Sequence, residues 1–172
     1  MTSIVIVEGD ITDASADAIV NAANPLMLGG GGVDGAIHKA AGPTLLEECK
    51  KIKAVNKERC PVGKARITSA GNLHSKYVIH TVGPIFHRES DPAKLLAAAY
   101  RNSLVLALEN GCNSIAFPAI SCGSYGYPIR EAAEVAIKVC LDRQFQGIDI
   151  YFYLYGQKMY GIWQSVLSAN GR

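Results

Sequence analysis

An asparagine and an aspartate flank a run of four glycines early in the chain, in an arrangement suited to holding a hydroxylated ligand and a water molecule. The segment NAANPLMLGGGGVDGAIHKAAG spans residues 21–42. The Asn24 amide can donate to one hydroxyl and accept from another group. Asp34 falls in the first turn of a predicted helix, whose dipole favours an ionised carboxylate that can orient or deprotonate an attacking water. Asn24 and Asp34 are the predicted catalytic pair, the alternative being an acid that only stabilises its helix.

Three more polar residues belong to this candidate site or to its neighbourhood. His38 lies four residues after Asp34, so both side chains project from the same side of the helix. We predict a supporting catalytic role for His38, with a structural histidine as the alternative. Asn21 is expected to brace the glycine loop or to contact the ligand. His80 lies inside an apolar strand and is expected to be a core residue.

Two glycine-rich loops each precede a predicted helix. The first is Gly29–Gly32, and the second is SCGSYGY at residues 121–127. Glycines let backbone N–H groups converge on a ligand without an obstructing Cβ, and the following helix end adds a partial positive charge. Two such anion cradles suit a diphosphate better than a single phosphate.

A dinucleotide-binding fingerprint is the competing interpretation of the glycines. Gly30, Gly32 and Gly35 satisfy GxGxxG, but NAANPLML separates them from the preceding strand, and no strand ending in an acid follows about twenty residues on. A Walker A loop is excluded because the chain contains no GK[ST]. We therefore favour an anion-binding site of a different kind.

Strands alternate with helices along the whole chain, which predicts an α/β architecture with helices on both faces of a mainly parallel sheet. Ligands in such sheets bind beyond the carboxyl ends of the strands. The predicted strands are Ile4 to Val7, Ala18 to Val20, Ala65 to Ser69, Tyr77 to Val82, Ser114 to Phe117 and Ile148 to Tyr155. The predicted helices start near Val33, Thr44, Pro92, Pro128 and Tyr160, the second reaching about Asn56 and the fourth about Gln144.

Composition predicts one globular cytoplasmic domain over residues 1–172. Apolar residues make up 49% and charged residues 19%, the net charge is +2 without a basic run, and no apolar stretch is long enough to span a membrane. A dedicated nucleic-acid site and a membrane partner are therefore not expected. Five cysteines without a CxxC pair argue against disulfides and against zinc, and we expect neither a metal nor a cofactor.

Five motifs in one order resemble the macro domains, and specifically their hydrolytic MacroD-type branch. They are GDIT at residues 9–12, NAAN at 21–24, GGGGVDGAIHKAAG at 29–42, HTVGP at 80–84 and FPAISCGSYGYP at 117–128. The resemblance covers essentially the whole chain. It implies a three-layer α/β/α sandwich around a mixed, mostly parallel six-stranded sheet, and the antiparallel part of that expectation comes from the resemblance alone.

The resemblance also assigns an ADP-ribose site. Asp10 would accept from the adenine amine beside the backbone of Ile11, although a turn-capping role is the alternative for Asp10. Tyr155 would stack on adenine, or Phe152 if the register differs. The expected contacts to the diphosphate and distal ribose are Asn21, Gly30, Gly31, Gly32, Val33, Ser121, Cys122, Gly123, Ser124, Tyr125 and Gly126.

Cys122 stands where the family resemblance leads us to expect threonine, and a thiol near a helix start is a conceivable nucleophile. The resemblance assigns it no such role. The implied activity is removal of acyl groups from O-acetyl-ADP-ribose and of ADP-ribose from acidic side chains. The alternatives are a non-catalytic ADP-ribose reader and a regulator that contacts another enzyme or RNA. We expect a monomer whose partners are ADP-ribose, O-acetyl-ADP-ribose and ADP-ribosylated proteins.

Overall fold

Six short runs rich in β-branched and aromatic residues form one sheet in the computed structural model, which describes residues 3–170. All six predicted strands are present; Ala65–Ser69 and Ser114–Phe117 have the predicted ends, and the others differ by one or two residues. The strands are β1 (Ser3–Glu8), β2 (Ala18–Ala22), β3 (Ala65–Ser69), β4 (Tyr77–Thr81), β5 (Ser114–Phe117) and β6 (Asp149–Leu154).

Five helices cover the two faces of the sheet. They are α1 (Gly32–Ala41), α2 (Pro43–Lys50), α3 (Pro92–Glu109), α4 (Ile129–Cys140) and α5 (Gln157–Asn170). The first two pack on one face, and the last three pack side by side on the other. This arrangement is the three-layer sandwich that the resemblance implied.

The strand order is β1-β6-β5-β2-β4-β3. The five strands from β1 to β4 in this order are parallel, and only β3 runs antiparallel, beside β4. The connection between β3 and β4 covers residues 70–76, which is too short for a crossover, so the two strands form a hairpin. The mixed sheet is confirmed, and loop length explains its single antiparallel edge.

Neighbouring residues of the central strand β2 point to opposite layers. Ala18 and Val20 pack into the core beneath α3–α5, whereas Ile19 packs into the core beneath α1 and α2. Strands buried on both faces appear as continuous apolar runs rather than alternating ones. The larger core contains Phe117 stacked on Phe152, with ring centroids 5.5 Å apart.

Two helices end earlier than the sequence predicts. α2 ends at Lys50 instead of reaching Asn56. Asn56 and Lys57 cannot belong to a helix, because they adopt positive φ angles of 52° and 67°. α4 ends at Cys140 instead of Gln144. Asp142 there accepts a hydrogen bond from the Gln144 backbone N–H and caps a separate 3₁₀ turn.

The carboxyl ends of the five parallel strands meet at one edge of the sheet, as parallel pairing requires. The chain continues from β2 towards β4 on one side and from β5 towards β6 on the other. The loops after β2 and β5 therefore separate at this point and leave a crevice between them. The first loop contains the four glycines, and the second contains Ser121 to Tyr127.

The aromatic core predicts a large stability loss on truncation of Phe117. Its side chain is fully buried between Tyr100 and Phe152, so Phe117→Ala should lower the free energy of unfolding by about 3–5 kcal/mol. Leu108→Ala is the control, because Leu108 is 41% exposed and its loss should cost less than about 1 kcal/mol. Urea unfolding measures both, and equal losses would contradict this description of the core.

Candidate active site

One groove crosses the carboxyl edge of the sheet, with cavity volumes of about 550 and 440 Å³ in its two halves. Gly32, Val33, Ala119 and Gly123 line both halves and join them. The Asp34 half is lined in addition by Ala22, Ala23, Asn24, Gly30, Gly31, Asp34, Gly83, Ile120, Ser121, Ser124 and Tyr125. The Asp10 half is lined in addition by Gly9, Asp10, Ile11, Ala36, Pro118, Cys122, Tyr153, Leu154, Tyr155 and Met159.

The first glycine loop presents free backbone donors to the groove. Gly29 and Gly32 have φ angles of +93° and +57°, a conformation that favours glycine. The N–H groups of residues 30–34 have no acceptor within residues 3–170, as expected for the start of α1. These donors and the helix dipole make this end of the groove attractive to an anion.

Two other glycines are required by close packing at this loop. A Cβ on Gly35 would lie 2.6 Å from the Gly30 carbonyl oxygen, so the loop can fold against the helix only without it. A Cβ on Gly30 would lie 3.1 Å from Asp34 Oδ2 and 3.4 Å from Asn24 Nδ2. The space beside Gly30 is therefore where the two predicted catalytic side chains converge.

The second loop provides a facing set of donors. The backbone N–H groups of Ser121, Gly123, Ser124 and Tyr125 have no acceptor within residues 3–170. Ser121 has a φ angle of 66°, and its hydroxyl donates to the Pro84 carbonyl at 2.7 Å. The Ser121 hydroxyl is thus committed within the protein, whereas its N–H remains available to a ligand.

Two of the predicted phosphate contacts in the second loop, Gly126 and Cys122, have backbone N–H groups that already donate within the protein. The Gly126 N–H donates to the Gly123 carbonyl at 3.0 Å, and Gly126 does not line either half of the groove. The Cys122 N–H donates to the Ala119 carbonyl at 3.3 Å. Both N–H groups close turns within the loop, so its free donors are those of the neighbouring residues.

Gly83 is a site residue that the sequence interpretation missed. A Cβ on Gly83 would collide with the side chains of Ser121 and Ile120. The close approach of β4's end to the second loop therefore requires glycine at this position. The HTVGP motif contained the signal, but its role becomes visible only when the loops are brought together.

Asp34 is a buried carboxylate with one fully formed side-chain hydrogen bond. Its Oδ1 accepts from Asn21 Nδ2 at 2.8 Å, and its Oδ2 faces the space beside Gly30. Burial raises the pKa of Asp34 above the usual aspartate range, against the lowering effects of the Asn21 hydrogen bond and of nearby His38. The free oxygen is thus a stronger proton acceptor than an exposed aspartate would offer.

Asn21 lies behind the groove rather than in it. The residue is fully buried in β2, and its Nδ2 also lies 3.2 Å from His80 Nδ1. Of its two predicted roles, the structure supports bracing, through Asp34 on α1 rather than through the glycine loop itself. Direct contact with a ligand in the groove is not supported, because Asp34 stands between them.

His80 is buried in β4, as predicted, and is neutral. Burial lowers the pKa of His80 to about 3, and the nearby charge of His38 adds to this effect. Its Nε2 lies 3.0 Å from Thr68 Oγ1 on β3. His80 therefore makes a polar contact with a residue on each neighbouring strand while it lies in the core.

His38 lies beside Asp34 without lining the groove. His38 Nε2 is 3.4 Å from Asp34 Oδ1 but has no hydrogen-bond partner within residues 3–170. The contact involves the same carboxylate oxygen that Asn21 occupies, away from the oxygen that faces the groove. The geometry favours the supporting role over direct contact with a reacting group.

The Asn24 amide shapes the first loop and reaches the groove. Its Oδ1 accepts from the Met27 N–H at 3.2 Å, and its Nδ2 donates to the Gly29 carbonyl at 3.1 Å. One amide hydrogen remains for a ligand, since an amide nitrogen carries two donors. Asn24 therefore has an orientation fixed by backbone contacts before any ligand binds.

Asp10 both caps a turn and lines the groove. Asp10 Oδ1 accepts from the Thr12 N–H at 2.9 Å and from the Thr12 hydroxyl at 2.7 Å. Its second oxygen and the Ile11 N–H have no protein partner within residues 3–170. The two interpretations of Asp10 are compatible, because one oxygen serves the turn and the other can accept from a ligand.

Tyr155 and Phe152 occupy opposite environments. Tyr155 is 82% exposed directly after β6 and lines the Asp10 half of the groove. Phe152 is fully buried against Phe117 and Trp163. Phe152 is therefore excluded as a stacking residue for a ligand, and Tyr155 is the aromatic side chain that matches the prediction.

Cys122 is poorly suited to act as a nucleophile. Burial raises the pKa of its thiol to about 12, so the thiol is protonated at neutral pH. Within residues 3–170, no group of three or more His, Cys, Asp or Glu side chains is placed to hold a metal ion. None of the helices in that range is long and apolar enough to cross a bilayer.

Comparison with known proteins relates the chain to one family. Residues 20–136 match the Macro domain model. A macro domain-containing protein of Vibrio parahaemolyticus is 58% identical over 170 residues, covering 99% of this chain and all of that protein. The O-acetyl-ADP-ribose deacetylase of Citrobacter rodentium is 52% identical over 170 residues, covering 96% of each chain.

Solved structures show the same fold. An Oceanobacillus iheyensis macrodomain solved with ADP has a TM-score of 0.91 at 45% identity, covering 95% of this chain and 89% of that one. A Trypanosoma brucei macrodomain in complex with ADP-ribose has a TM-score of 0.85 at 39% identity, covering 95% and 68%. The chain therefore belongs to the macro domain family.

Proposed function

We propose that the chain is an ADP-ribose-binding hydrolase that removes the acyl group from O-acetyl-ADP-ribose. The observation that carries this proposal is the convergence of Asp34 Oδ2 and Asn24 Nδ2 on the space beside Gly30, at one end of a groove with two facing sets of free N–H donors. Relatives such as the Citrobacter rodentium protein bear the name O-acetyl-ADP-ribose deacetylase, which supports it.

The ligand would lie along the whole groove. The second Asp10 oxygen would accept from the adenine amine, and the Tyr155 ring would stack on the base. The diphosphate would sit between the glycine loop and the second loop, where N–H donors face it from both sides. In this order the distal ribose would lie in the Asp34 half, within reach of Asn24.

The hydrolysis needs a proton acceptor and a fixed sugar. Water attacks the ester carbonyl carbon while Asp34 Oδ2 accepts the water's proton. The bond from that carbon to the ribose oxygen then breaks, and the ribose oxygen takes up a proton to become a hydroxyl. Asn24 would hold the neighbouring ribose hydroxyl, and a phosphate oxygen of the ligand is an alternative acceptor for the water's proton.

The same chemistry extends the proposal to proteins that carry ADP-ribose on acidic side chains, since that linkage is also an ester. Gly30, Gly31 and Gly32 are exposed, and a Cβ on Gly31 would meet nothing within 4 Å. The Asp34 half is thus open to solvent at the place where the protein part of such a substrate would lie. We propose that the chain acts on these substrates as a monomer, without a metal or cofactor.

Replacing Asp34 tests the chemistry directly. Asp34→Ala should lower turnover of O-acetyl-ADP-ribose by at least about 100-fold, because a positioned acid or base contributes about that much. Glu47→Ala on the exposed side of α2 is the control acid. Product release is followed in the presence of a chelator.

Binding and turnover assays of the wild-type protein distinguish a hydrolase from a non-catalytic reader. If it binds ADP-ribose but hydrolyses neither O-acetyl-ADP-ribose nor an aspartate-linked ADP-ribosylated protein, the chain is a reader and the enzyme proposal fails. Equal turnover by Asp34→Ala and wild type would instead place the chemistry on another residue.

Burial of Asp34 also predicts the pH dependence. Only the ionised carboxylate accepts a proton, and the pKa of Asp34 in the free protein is raised. As the solution is acidified, kcat/KM should therefore begin to fall at a higher pH than it would with an ordinary aspartate as the base. Glu47→Ala should leave this acidic limb unchanged. An acidic limb at or below the usual aspartate range would contradict Asp34 as the base.

Substitution of Tyr155 should affect ligand binding, whereas substitution of Phe152 should affect stability. Tyr155→Ala should weaken ADP-ribose binding about 10-fold, as expected for loss of one base–aromatic stack, without destabilising the fold. Phe152→Leu should lower the free energy of unfolding by about 1–2 kcal/mol and leave affinity unchanged. Calorimetric titration and urea unfolding measure both variants, and the reverse pattern would refute this placement of adenine.

A further inference from the structure

Three polar side chains form a ladder across the sheet beneath α1 and α2. Thr68 lies on β3, His80 on β4 and Asn21 on β2, and Asn21 pairs directly with His80 in the strand register. All three are buried and lie among apolar residues of that layer. Buried polar groups in such a place require partners, so the pattern of donors and acceptors along this ladder is informative.

The contacts run without a break from the edge of the sheet to the groove. The Thr68 hydroxyl donates to the Ser69 carbonyl at 2.9 Å, and His80 Nε2 lies 3.0 Å from Thr68 Oγ1. Asn21 Nδ2 lies 3.2 Å from His80 Nδ1 and 2.8 Å from Asp34 Oδ1. Each step is within hydrogen-bond distance.

Elementary valence rules fix the direction of these bonds. An ionised Asp34 can only accept, so Asn21 must present its NH₂ group to it. The same NH₂ group donates its second hydrogen to His80 Nδ1, which leaves the imidazole hydrogen on Nε2. Nε2–H then donates to Thr68 Oγ1, whose own hydrogen is committed to Ser69. Each donor in the ladder therefore faces an acceptor, and no two donors face each other.

The opposite imidazole tautomer would break this order. A hydrogen on His80 Nδ1 would favour an inverted Asn21 amide, with its oxygen towards His80 and towards the Asp34 carboxylate. Asn21 Oδ1 itself has no hydrogen-bond partner within residues 3–170, so nothing on its other side holds the amide in place. The orientation of Asn21 thus depends on His80 and Asp34 alone.

We propose that His80 is a positioning residue for the hydrolysis: its tautomer, set by Thr68, orients the Asn21 amide so that Asn21 holds one oxygen of Asp34 and leaves the other free for water. This inference rests on the proposed function. It gives a buried residue of β4 an effect on a groove that it does not line.

The ionisable neighbours of this ladder come from several elements. His38 on α1 lies 3.4 Å from Asp34 Oδ1, and its ring centroid is 6.4 Å from that of His80. Cys49 on α2 lies 3.7 Å from His80 Nε2, and Cys60 Sγ lies 3.7 Å from the His80 carbonyl oxygen. Tyr125 lines the same half of the groove as Asp34, and burial raises the pKa of its phenol, with a further raising effect from the Asp34 carboxylate.

Two substitutions of His80 test the roles of its two ring nitrogens separately. The oxygen of asparagine can occupy the position of Nδ1, whereas the amide of glutamine reaches the position of Nε2. His80→Gln should therefore lower kcat by about 10-fold or more relative to His80→Asn, with KM and ADP-ribose affinity nearly equal in the two variants. Equal kcat values in two folded variants would overturn the proposal.

Thr68 supplies a second pair in case the His80 variants do not fold. Thr68→Val has nearly the same shape but removes the acceptor for Nε2–H, while Thr68→Ser keeps it. We expect Thr68→Val to lower kcat without changing KM, and Thr68→Ser to retain most of the wild-type rate. Equal rates in these two variants would also overturn the proposal.

A direct titration keeps this inference distinguishable from the proposed function. Losing the Asn21 donor removes a hydrogen bond that lowers the pKa of Asp34, so carboxylate NMR should show Asp34 titrating at higher pH in His80→Gln than in His80→Asn. This readout needs no turnover. An inactive wild type would remove the proposed function, whereas identical Asp34 titrations would remove the role of His80.

Discussion

The hydrogen bond from Asn21 to Asp34 joins the central strand of the sheet to the first turn of α1. A carboxylate this deeply buried is costly to ionise, and a single well-placed donor offsets part of that cost. Because the donor occupies Oδ1, the orientation of the carboxyl group is fixed and Oδ2 faces the groove. The first glycine loop is built around this orientation, since Gly30 leaves the space beside Oδ2 empty and Gly35 lets the loop approach the helix.

The rest of the groove depends on backbone rather than side-chain donors. Backbone N–H groups carry no rotamer freedom, so donors held by two closed loops are oriented before a ligand arrives. Close packing holds those loops together, since Gly83 is the residue that permits contact between the end of β4 and the second loop. Internal bonds such as that of Gly126 close the turns, and the neighbouring N–H groups remain exposed to the groove.

Most groove residues were expected from the resemblance to the macro domains. Strand positions and the facing loops were predictable from the residues alone, because apolar runs, glycine clusters and helix starts are local signals. The ladder behind Asp34 was not, since the contact of Asn21 with His80 depends on the register of two strands separated in sequence. The internal N–H bonds of Cys122 and Gly126 also required the loop conformation. The choice between Tyr155 and Phe152 as the residue that stacks on a ligand required knowing which of the two rings is exposed at the end of β6.

The two halves of the groove differ in what they can contribute to catalysis. In the proposed binding mode, contacts to adenine and diphosphate would be equal in the ground state and the transition state, so they would raise affinity without accelerating the chemical step. In the proposed mechanism, the rate of the chemical step depends on the groups at the reacting ester, Asn24 and the free oxygen of Asp34, and on the residues that position them. One groove can therefore serve as a binding module or as a hydrolase, and the difference lies in whether the carboxylate beside Gly30 is present, ionisable and held with its outer oxygen free.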